Sequence, residues 1–177
     1  MNPNFLTKDS DDSAASGLSY LNCLDYCNWL NRTYGFEELP DTDQYDGNGN
    51  PSILTGFSGF RLPTSAEWEY ASRGRTSTPR YHGTLDTPFS DCYIENSKFT
   101  GPTFGNRFGL LGIHSNHDWT MTRILRVNEG QILMRGSTKQ SNDRYRRVED
   151  ANWTDKKIIS PHTGFRIVYV DQQQQER

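Results

Sequence analysis

The sequence has 177 residues, a formal net charge of -3 and an apolar fraction of 33%. Its length suits a single domain, and no change of composition divides it in two. The acidic balance and the dispersed lysines and arginines argue against nucleic acid as a partner, and no apolar run is long enough to span a membrane. Aromatic residues reach 12%, which favours a loop-rich domain packed on rings.

The N-terminal segment, residues 1–15, is polar and carries no signal-peptide pattern. We expect it to be a leader to one domain over residues 16–170, with a polar tail over residues 171–177. These features predict a cytoplasmic protein or a component of a soluble or particle-bound assembly. Cys23 and Cys27 stand one helical turn apart in a chain with an odd number of cysteines, so we expect reduced thiols.

Two helices are predicted. The first covers residues 16–31, whose apolar side chains recur at helical spacing on one face: Cys23, Tyr26, Cys27 and Leu30. The second begins at Thr64, where Glu67 completes a capping-box pattern, and ends at Gly74. Both helices should pack against the core of the domain.

The rest of the chain predicts loops and two short strands. Residues 35–59 read as a long surface loop in which Asp41, Asp43 and Asp46 offer oxygen ligands for calcium, although turn chemistry explains the same residues. Residues 76–106 show no sustained period and predict packed loops. Strands are predicted at residues 132–134 and 164–170.

Four segments carry a resemblance to a known family. In chain order they are LSYLNCLDYCNWLN, FRLPTSAEWEYASRG, NRFGLLGIHSNHDWT, and LMRGSTKQSNDRYRR followed by TGFRIV. Over residues 18–170 the sequence resembles the formylglycine-generating enzyme and sulfatase-modifying-factor family. The resemblance implies a compact, loop-rich α+β domain of C-type-lectin type, with two helices and short antiparallel strands. It also implies a framework built by the matching residues Arg61, Glu67, Trp68, Trp119, Arg135, Gly136 and Arg166.

The resemblance does not extend to the chemistry of the founding enzyme. That enzyme oxidises a substrate cysteine with copper held by two of its own cysteines, placed just after the Gly-Ser of the fourth block. Here the corresponding residues, 136–145, contain no cysteine. Because copper(I) requires soft thiolate ligands, we expect no catalytic residues of that kind and interpret the chain as a pseudoenzyme.

A metal-binding pattern occupies the third block, where His114, His117 and Asp118 form an H-x-x-H-D string. Imidazoles and a carboxylate are ligands for divalent metals, although a remodelled loop explains the same residues. In the family this block binds a structural calcium, and Asn116 and Asp118 occupy matching positions. Calcium is therefore the candidate ion.

The sequence supports functions of two classes. One is a non-catalytic interaction or structural module that binds a protein or glycan partner through surface loops in a larger assembly. A form of it is a phage or cell-surface receptor-binding protein of variable-lectin type, with its binding face over residues 138–153. The candidate binding residues of that face are Asn142, Arg144, Tyr145, Arg147, Asn152 and Trp153. The other class is an oxidoreductase with non-haem iron or copper at a relocated site, either the H-x-x-H-D string or the acidic loop near Asp43.

Overall fold

The structure of the protein is a computed structural model that describes residues 15–39, 50–54, 56–79, 93–95, 98–100, 105–111, 113, 117–123, 131–136 and 148–172. For residues 53, 93–95, 98–100, 117 and 123 it describes the backbone alone. Within these ranges the chain forms two α-helices, a 3-10 helix at Ser52–Leu54 and eight strands. This is the α+β class that the sequence predicts. No helix in the described ranges is long and apolar enough to span a membrane.

Helices and strands follow one another along the chain without a repeating order. The helices are α1 (Tyr20–Tyr34) and α2 (Ser65–Arg73). The strands are β1 (Gly59–Arg61), β2 (Tyr93–Glu95), β3 (Lys98–Thr100), β4 (His117–Arg123), β5 (Gln131–Gly136), β6 (Ala151–Asp155), β7 (Thr163–Phe165) and β8 (Val168–Val170).

Helix α1 begins four residues later than predicted and ends three residues later. Ser19 is its N-cap: the hydroxyl accepts from the Asn22 amide at 3.2 Å, and the Asn22 side chain accepts from the Ser19 amide at 3.1 Å. Gly35 ends the helix in the left-handed conformation, with φ 78°. The predicted apolar stripe is confirmed at Cys23 and Cys27, which are buried free thiols.

Helix α2 begins and ends where the sequence predicts. The Thr64 hydroxyl accepts from the Glu67 amide, and the Glu67 carboxylate accepts from the Thr64 amide at 2.8 Å. Gly74 ends the helix with φ 53°. A Cβ at this position would stand 3.0 Å from atoms of Asn106 and Arg107, so only glycine allows this close approach without displacement.

A four-stranded sheet in the order β6-β5-β4-β7 lies between the two helices. β5 pairs antiparallel with β4 and β6, whereas β4 and β7 run parallel. Successive side chains point to opposite faces of a strand, and Ile132 and Met134 accordingly pack with the cysteines of α1. Arg135 points the other way, to hydrogen bonds with Ser65 and Glu69 of α2. The central strands are therefore buried on both faces.

The remaining strands correct two of the predictions. The strand predicted over residues 164–170 is wrong as one element, because β7 joins the central sheet and β8 pairs with β1. Arg166 and Ile167 connect the two strands. The prediction of loops throughout residues 76–106 is wrong at β2 and β3, which form an antiparallel pair.

Trp119 is fully buried in the larger core cluster. Its indole Nε1 donates to the Leu18 carbonyl at 2.9 Å, and its ring meets the edge of the Tyr20 ring at a centroid distance of 5.9 Å. One side chain of β4 therefore holds the segment that leads into α1.

Replacing Trp119 by Phe should destabilise the fold strongly. The change leaves the Leu18 carbonyl without its indole donor and opens a void in the core, so we expect a loss of about 2–4 kcal/mol in the free energy of unfolding. Urea denaturation measures it. Trp153→Phe, at a side chain 43% exposed, is the matched control, with an expected change within about 0.5 kcal/mol. Equal losses in both variants would contradict the central role of Trp119.

Candidate functional site

The Asp118 carboxylate joins three parts of the fold at the start of β4. It is buried, and its Oδ2 accepts from Trp68 Nε1 on α2 at 3.0 Å and from Arg166 Nε at 2.8 Å. Arg166 Nη2 also donates to the Leu111 carbonyl at 2.9 Å. The guanidinium of Arg166 is thus the counter-ion of a buried carboxylate, whose charge would otherwise be costly to bury.

The structure describes only part of the H-x-x-H-D string. The backbone of His117 and all of Asp118 lie on β4, so the alternative of a remodelled loop is wrong for these two residues. Among the described residues, no group of three His, Cys, Asp or Glu side chains could hold a metal ion. The Arg166 guanidinium would repel a cation at Asp118 Oδ2, so that oxygen does not fit calcium. The other proposed ligands, His114, Asn116, Asp41, Asp43 and Asp46, lie outside the described residues.

Arg61 and Glu67 form a bidentate ion pair beneath α2. Arg61 is buried, and its Nη1 and Nη2 donate to the two Glu67 carboxylate oxygens at 2.7 Å each. Burial raises the pKa of Glu67, but the hydrogen bonds from Arg61 and Thr64 outweigh it and hold the pKa below its usual value. Glu67 therefore caps α2 and neutralises a buried cation at once.

Arg135 of β5 fixes the segment that leads into β6. Its Nη1 donates to the Glu149 carbonyl at 2.8 Å and reaches the carbonyls of Val148 and Asp150 at 3.3 and 3.4 Å. Its Nη2 donates to the Glu69 carboxylate at 3.2 Å. Burial lowers the pKa of Arg135 while Glu69 opposes the shift, and a guanidinium remains a cation at neutral pH. The clamp therefore combines a charge pair with three carbonyl contacts.

Gly136 and Val148 mark the ends of the segment from which most of the candidate binding residues come. Gly136 is the last residue of β5 and has φ 87°, a conformation that favours glycine. Val148 is fully buried beside Trp68 and Ile113. Both ends of the segment are thus attached to the core. Outside the described residues lie Asn142, Arg144, Tyr145 and Arg147.

Asn152 and Trp153 lie on strand β6, so the binding face predicted over residues 138–153 ends on a strand and not on a surface loop. Asn152 pairs with Met134 and Trp153 with Leu133, and among the described strands β6 forms the edge of the sheet. Both side chains are exposed. The sequence gives no signal for this strand, because an exposed edge strand such as ANWTD needs no alternation of apolar and polar residues.

The two described thiols offer no reactive thiolate at neutral pH. Burial raises the pKa of Cys27 to about 12, against a smaller opposing effect of Arg61. Burial, with the neighbouring Cys27, raises the pKa of Cys23 still further. Because the thiolate is both the nucleophile and the metal ligand, these buried side chains serve packing.

Sequence reasoning missed two partners of Arg135, Ser65 and Glu69. Glu69 stands four residues before Arg73 and pairs with it at 2.8 Å, a helical spacing that is visible in the sequence. Its second bond, to Arg135, spans 66 residues and has no local signal. Ser65 Oγ, which accepts from Arg135 Nε at 2.8 Å, likewise has no local signal.

Glu67→Gln should lower stability in a pH-dependent way. The depressed pKa means that the carboxylate stabilises the fold above its unfolded-state pKa, and this contribution disappears as the pH falls through the folded-state pKa. We expect a loss of about 1–2 kcal/mol at neutral pH, since the buried Arg61 loses its charged partner. Denaturation at several pH values should show the difference from wild type shrinking below about pH 4.

Glu38→Gln is the matched control for this substitution. Glu38 pairs with Arg32 at 2.6 Å, but both side chains are about half exposed, so we expect a loss within about 0.5 kcal/mol. An E67Q effect that stays constant with pH would contradict the assignment.

The buried thiols should resist modification in the folded protein. A Cys92→Ser variant leaves Cys23 and Cys27 as the only thiols. We expect no reaction with an aromatic disulfide reagent at about pH 8, because neither buried thiol ionises there. Both thiols should react in concentrated guanidinium chloride. Rapid labelling of a variant that retains its thermal transition would show that the thiols are accessible.

Comparison with known proteins identifies the fold. Residues 2–170 match the family model of the sulfatase-modifying factor enzyme 1-like domain. The chain is similar to Treponema denticola variable protein 1, with 17% identity and a TM-score of 0.64 over 94% of this chain and 75% of that one. The structure of CarF shares 18% identity with the chain and has a TM-score of 0.64 over 93% of this chain and 71% of that one. PvdO from Pseudomonas aeruginosa shares 16% identity and has a TM-score of 0.57 over 91% of this chain and 63% of that one.

No curated protein matches the sequence with significance. The likeness to the solved structures supports the C-type-lectin-like fold that the four sequence blocks predict. Since the family model covers nearly the whole chain, the protein belongs to the sulfatase-modifying factor, or formylglycine-generating enzyme-like, family.

Proposed function

We propose that this chain is a non-catalytic interaction module of its family, which binds a protein or glycan partner within a larger assembly. The observation that carries the proposal is the edge strand β6, which presents Asn152 and Trp153 on a sheet whose central strands are buried. A rigid support for an exposed aromatic side chain is what an interface needs, because less conformational freedom is lost on binding.

Strand β6 is fixed by its neighbours both along its length and at its beginning. All five of its residues pair with β5, and Arg135 holds the carbonyl groups that immediately precede it. Tryptophan is among the residues that most often dominate the energy of an interface. Trp153 is therefore the residue on which we centre the proposed surface.

Exposed apolar side chains continue beyond β6. The Asp155 carboxylate accepts from the Lys157 amide at 2.8 Å, and the Asp155 carbonyl accepts from the Ile158 amide at 3.1 Å, which closes a turn. Ile158 and Ile159 follow with exposed side chains. Three large exposed apolar side chains within seven residues, counting Trp153, exceed the scattered single ones that are normal on a surface.

The charged groups of the described network support binding more than catalysis. Arg61, Arg135 and Arg166 each pair with a carboxylate. Asp118 Oδ2 already accepts two hydrogen bonds. These groups hold α2, β4 and β5 together, and a reaction that displaced them would disturb the fold.

A receptor-binding protein of variable-lectin type is a second candidate, with residues 138–153 as its binding face. The likeness to a protein named variable protein 1 favours this form. The anchored ends at Gly136 and Val148 also support it, because a fixed frame tolerates changes in the segment between. The rival function is an oxidoreductase with a relocated iron or copper site. The experiment must distinguish it from the interaction module.

The experiment is native mass spectrometry of the protein isolated from its own source, with elemental analysis of the same sample. A stable complex with a protein or a glycan, without stoichiometric iron or copper, would support the interaction module. A monomer that carries stoichiometric iron or copper would contradict it and favour the oxidoreductase.

Trp153→Ala should weaken that complex by on the order of tenfold or more, since an exposed aromatic anchor typically contributes about 2 kcal/mol. The thermal unfolding transition of the W153A variant should match that of the wild-type protein. Tyr34→Ala, which removes a ring 64% exposed at the end of α1, is the control and should leave the dissociation constant as it is. Equal weakening by both substitutions would reject β6 as the binding surface.

A further inference from the structure

The end of α2 carries a second exposed surface, here called the Tyr70–Phe108 patch and made of Tyr70, Arg75, Arg107 and Phe108. Tyr70 is 70% and Phe108 40% exposed, and their ring centroids are 5.8 Å apart. The Arg75 guanidinium lies 5.8 Å from the centroid of the Phe108 ring. Arg107 precedes Phe108 and is exposed. Such a mixture of rings and guanidinium groups is typical of the residues that dominate protein interfaces.

Asn106 holds the patch together from beneath. It is buried, and its Nδ2 donates to the carbonyls of Ala71 and Ser72 at 2.6 and 3.1 Å. Its Oδ1 accepts from the amides of Phe108 and Leu110 at 3.0 and 3.1 Å. One side chain therefore fixes the turn that carries Phe108 to the helix that carries Tyr70. Both polar atoms of this buried amide are hydrogen-bonded, and these bonds bring the two exposed rings together.

The backbone of Arg75 is fixed in an unusual conformation. Arg75 has φ 69°, the only positive φ of a non-glycine residue in the described part of the chain. The left-handed region is costly for a residue with a side chain and persists where the surroundings enforce it. Here the preceding Gly74 lies against the backbone of Arg107. The packing of the turn thus directs Arg75 toward the Phe108 ring.

Among the arginines whose side chains are described, those of the patch differ from the rest in their ion pairing. Five arginines form ion pairs: Arg32, Arg61, Arg73, Arg135 and Arg166. Neither Arg75 nor Arg107 pairs with a carboxylate of the described residues. In a protein with a net charge of -3, the Arg75 guanidinium against the Phe108 ring and the exposed Arg107 next to Phe108 in the sequence form a local cationic and apolar surface.

We propose that the Tyr70–Phe108 patch binds an acidic peptide segment of a partner protein. Carboxylates of the partner would meet Arg75 and Arg107, since a guanidinium binds a carboxylate through two parallel hydrogen bonds. Apolar side chains of the same segment would cover the rings of Tyr70 and Phe108. The charge complementarity specifies the kind of partner and accelerates its association. This surface is made of other residues than the one proposed around Trp153, and the proposal does not depend on that function.

An acidic peptide fits the patch better than a nucleic acid does. A nucleic acid requires many phosphate contacts for affinity, whereas the patch supplies two guanidinium groups on an acidic protein. The exposed rings of Tyr70 and Phe108 require apolar area from the partner, which a peptide with both acidic and apolar side chains provides.

The experiment selects peptides from a phage-displayed random library of about twelve residues on the wild-type protein and then measures their affinity by fluorescence anisotropy. We expect selected sequences enriched in Asp and Glu next to apolar residues. Arg107→Glu should weaken binding of the selected peptide on the order of tenfold or more. Arg32→Glu, which changes the net charge equally at an exposed arginine of α1, should change it by less than about twofold. Thermal transitions of both variants verify folding.

Four results would overturn the proposal. Selection without acidic enrichment would remove the partner class, and equal weakening by R107E and R32E would indicate general electrostatics. Binding of a labelled single-stranded oligonucleotide without an acidic peptide consensus would assign the patch to nucleic acid. Loss of peptide binding in W153A, with R107E unaffected, would place the peptide on the β6 surface. Retained peptide binding in W153A separates the patch from the function proposed for β6.

Discussion

The burial of one cation, Arg135, constrains much of the structure. Its guanidinium needs partners on every side, and it finds them on α2, through Ser65 and Glu69, and in the carbonyl groups of residues 148–150. Removing it would leave those acceptors, several of them partly buried, without their donor, which costs more than losing an exposed ion pair. Because the clamped carbonyls lead directly into β6, the same interaction that seats α2 also determines where the outer strand lies.

The two faces of the central sheet are packed by different means. Toward α1 the contacts are apolar and centre on Trp119 with the cysteines. Toward α2 they are largely charged: Glu67 and Glu69 pair with Arg61 and Arg135, and Trp68 shares Asp118 with Arg166. A chain with only 33% apolar residues thus builds a second layer from paired charges. Such networks position groups more strictly than apolar contacts do, because each hydrogen bond has a direction as well as a distance.

Local chemistry explains which elements could be predicted. The capping box of α2 involves Thr64 and Glu67, three residues apart, so the sequence alone places the start of that helix. The partners of Asp118 lie 50 and 48 residues away, and no local pattern joins them. The division between β7 and β8 was also hidden, because it depends on which distant strand each one pairs with. Family resemblance identified Arg61, Arg135 and Arg166 as framework residues, but only the fold shows which partners they bind.

The contrast between buried and exposed residues of the family segments bears on function. Arg61, Asp118 and Arg135 lie in those segments and are buried in the network, so packing is a sufficient reason for their presence. Tyr70 and Phe108 lie in the same segments but are exposed, and the buried Asn106 is spent on bringing them together. Packing is a less complete reason for two rings that remain 70% and 40% exposed. A buried side chain that serves to hold exposed ones in place indicates a surface built for contact, and on this fold such surfaces are where function has to be tested.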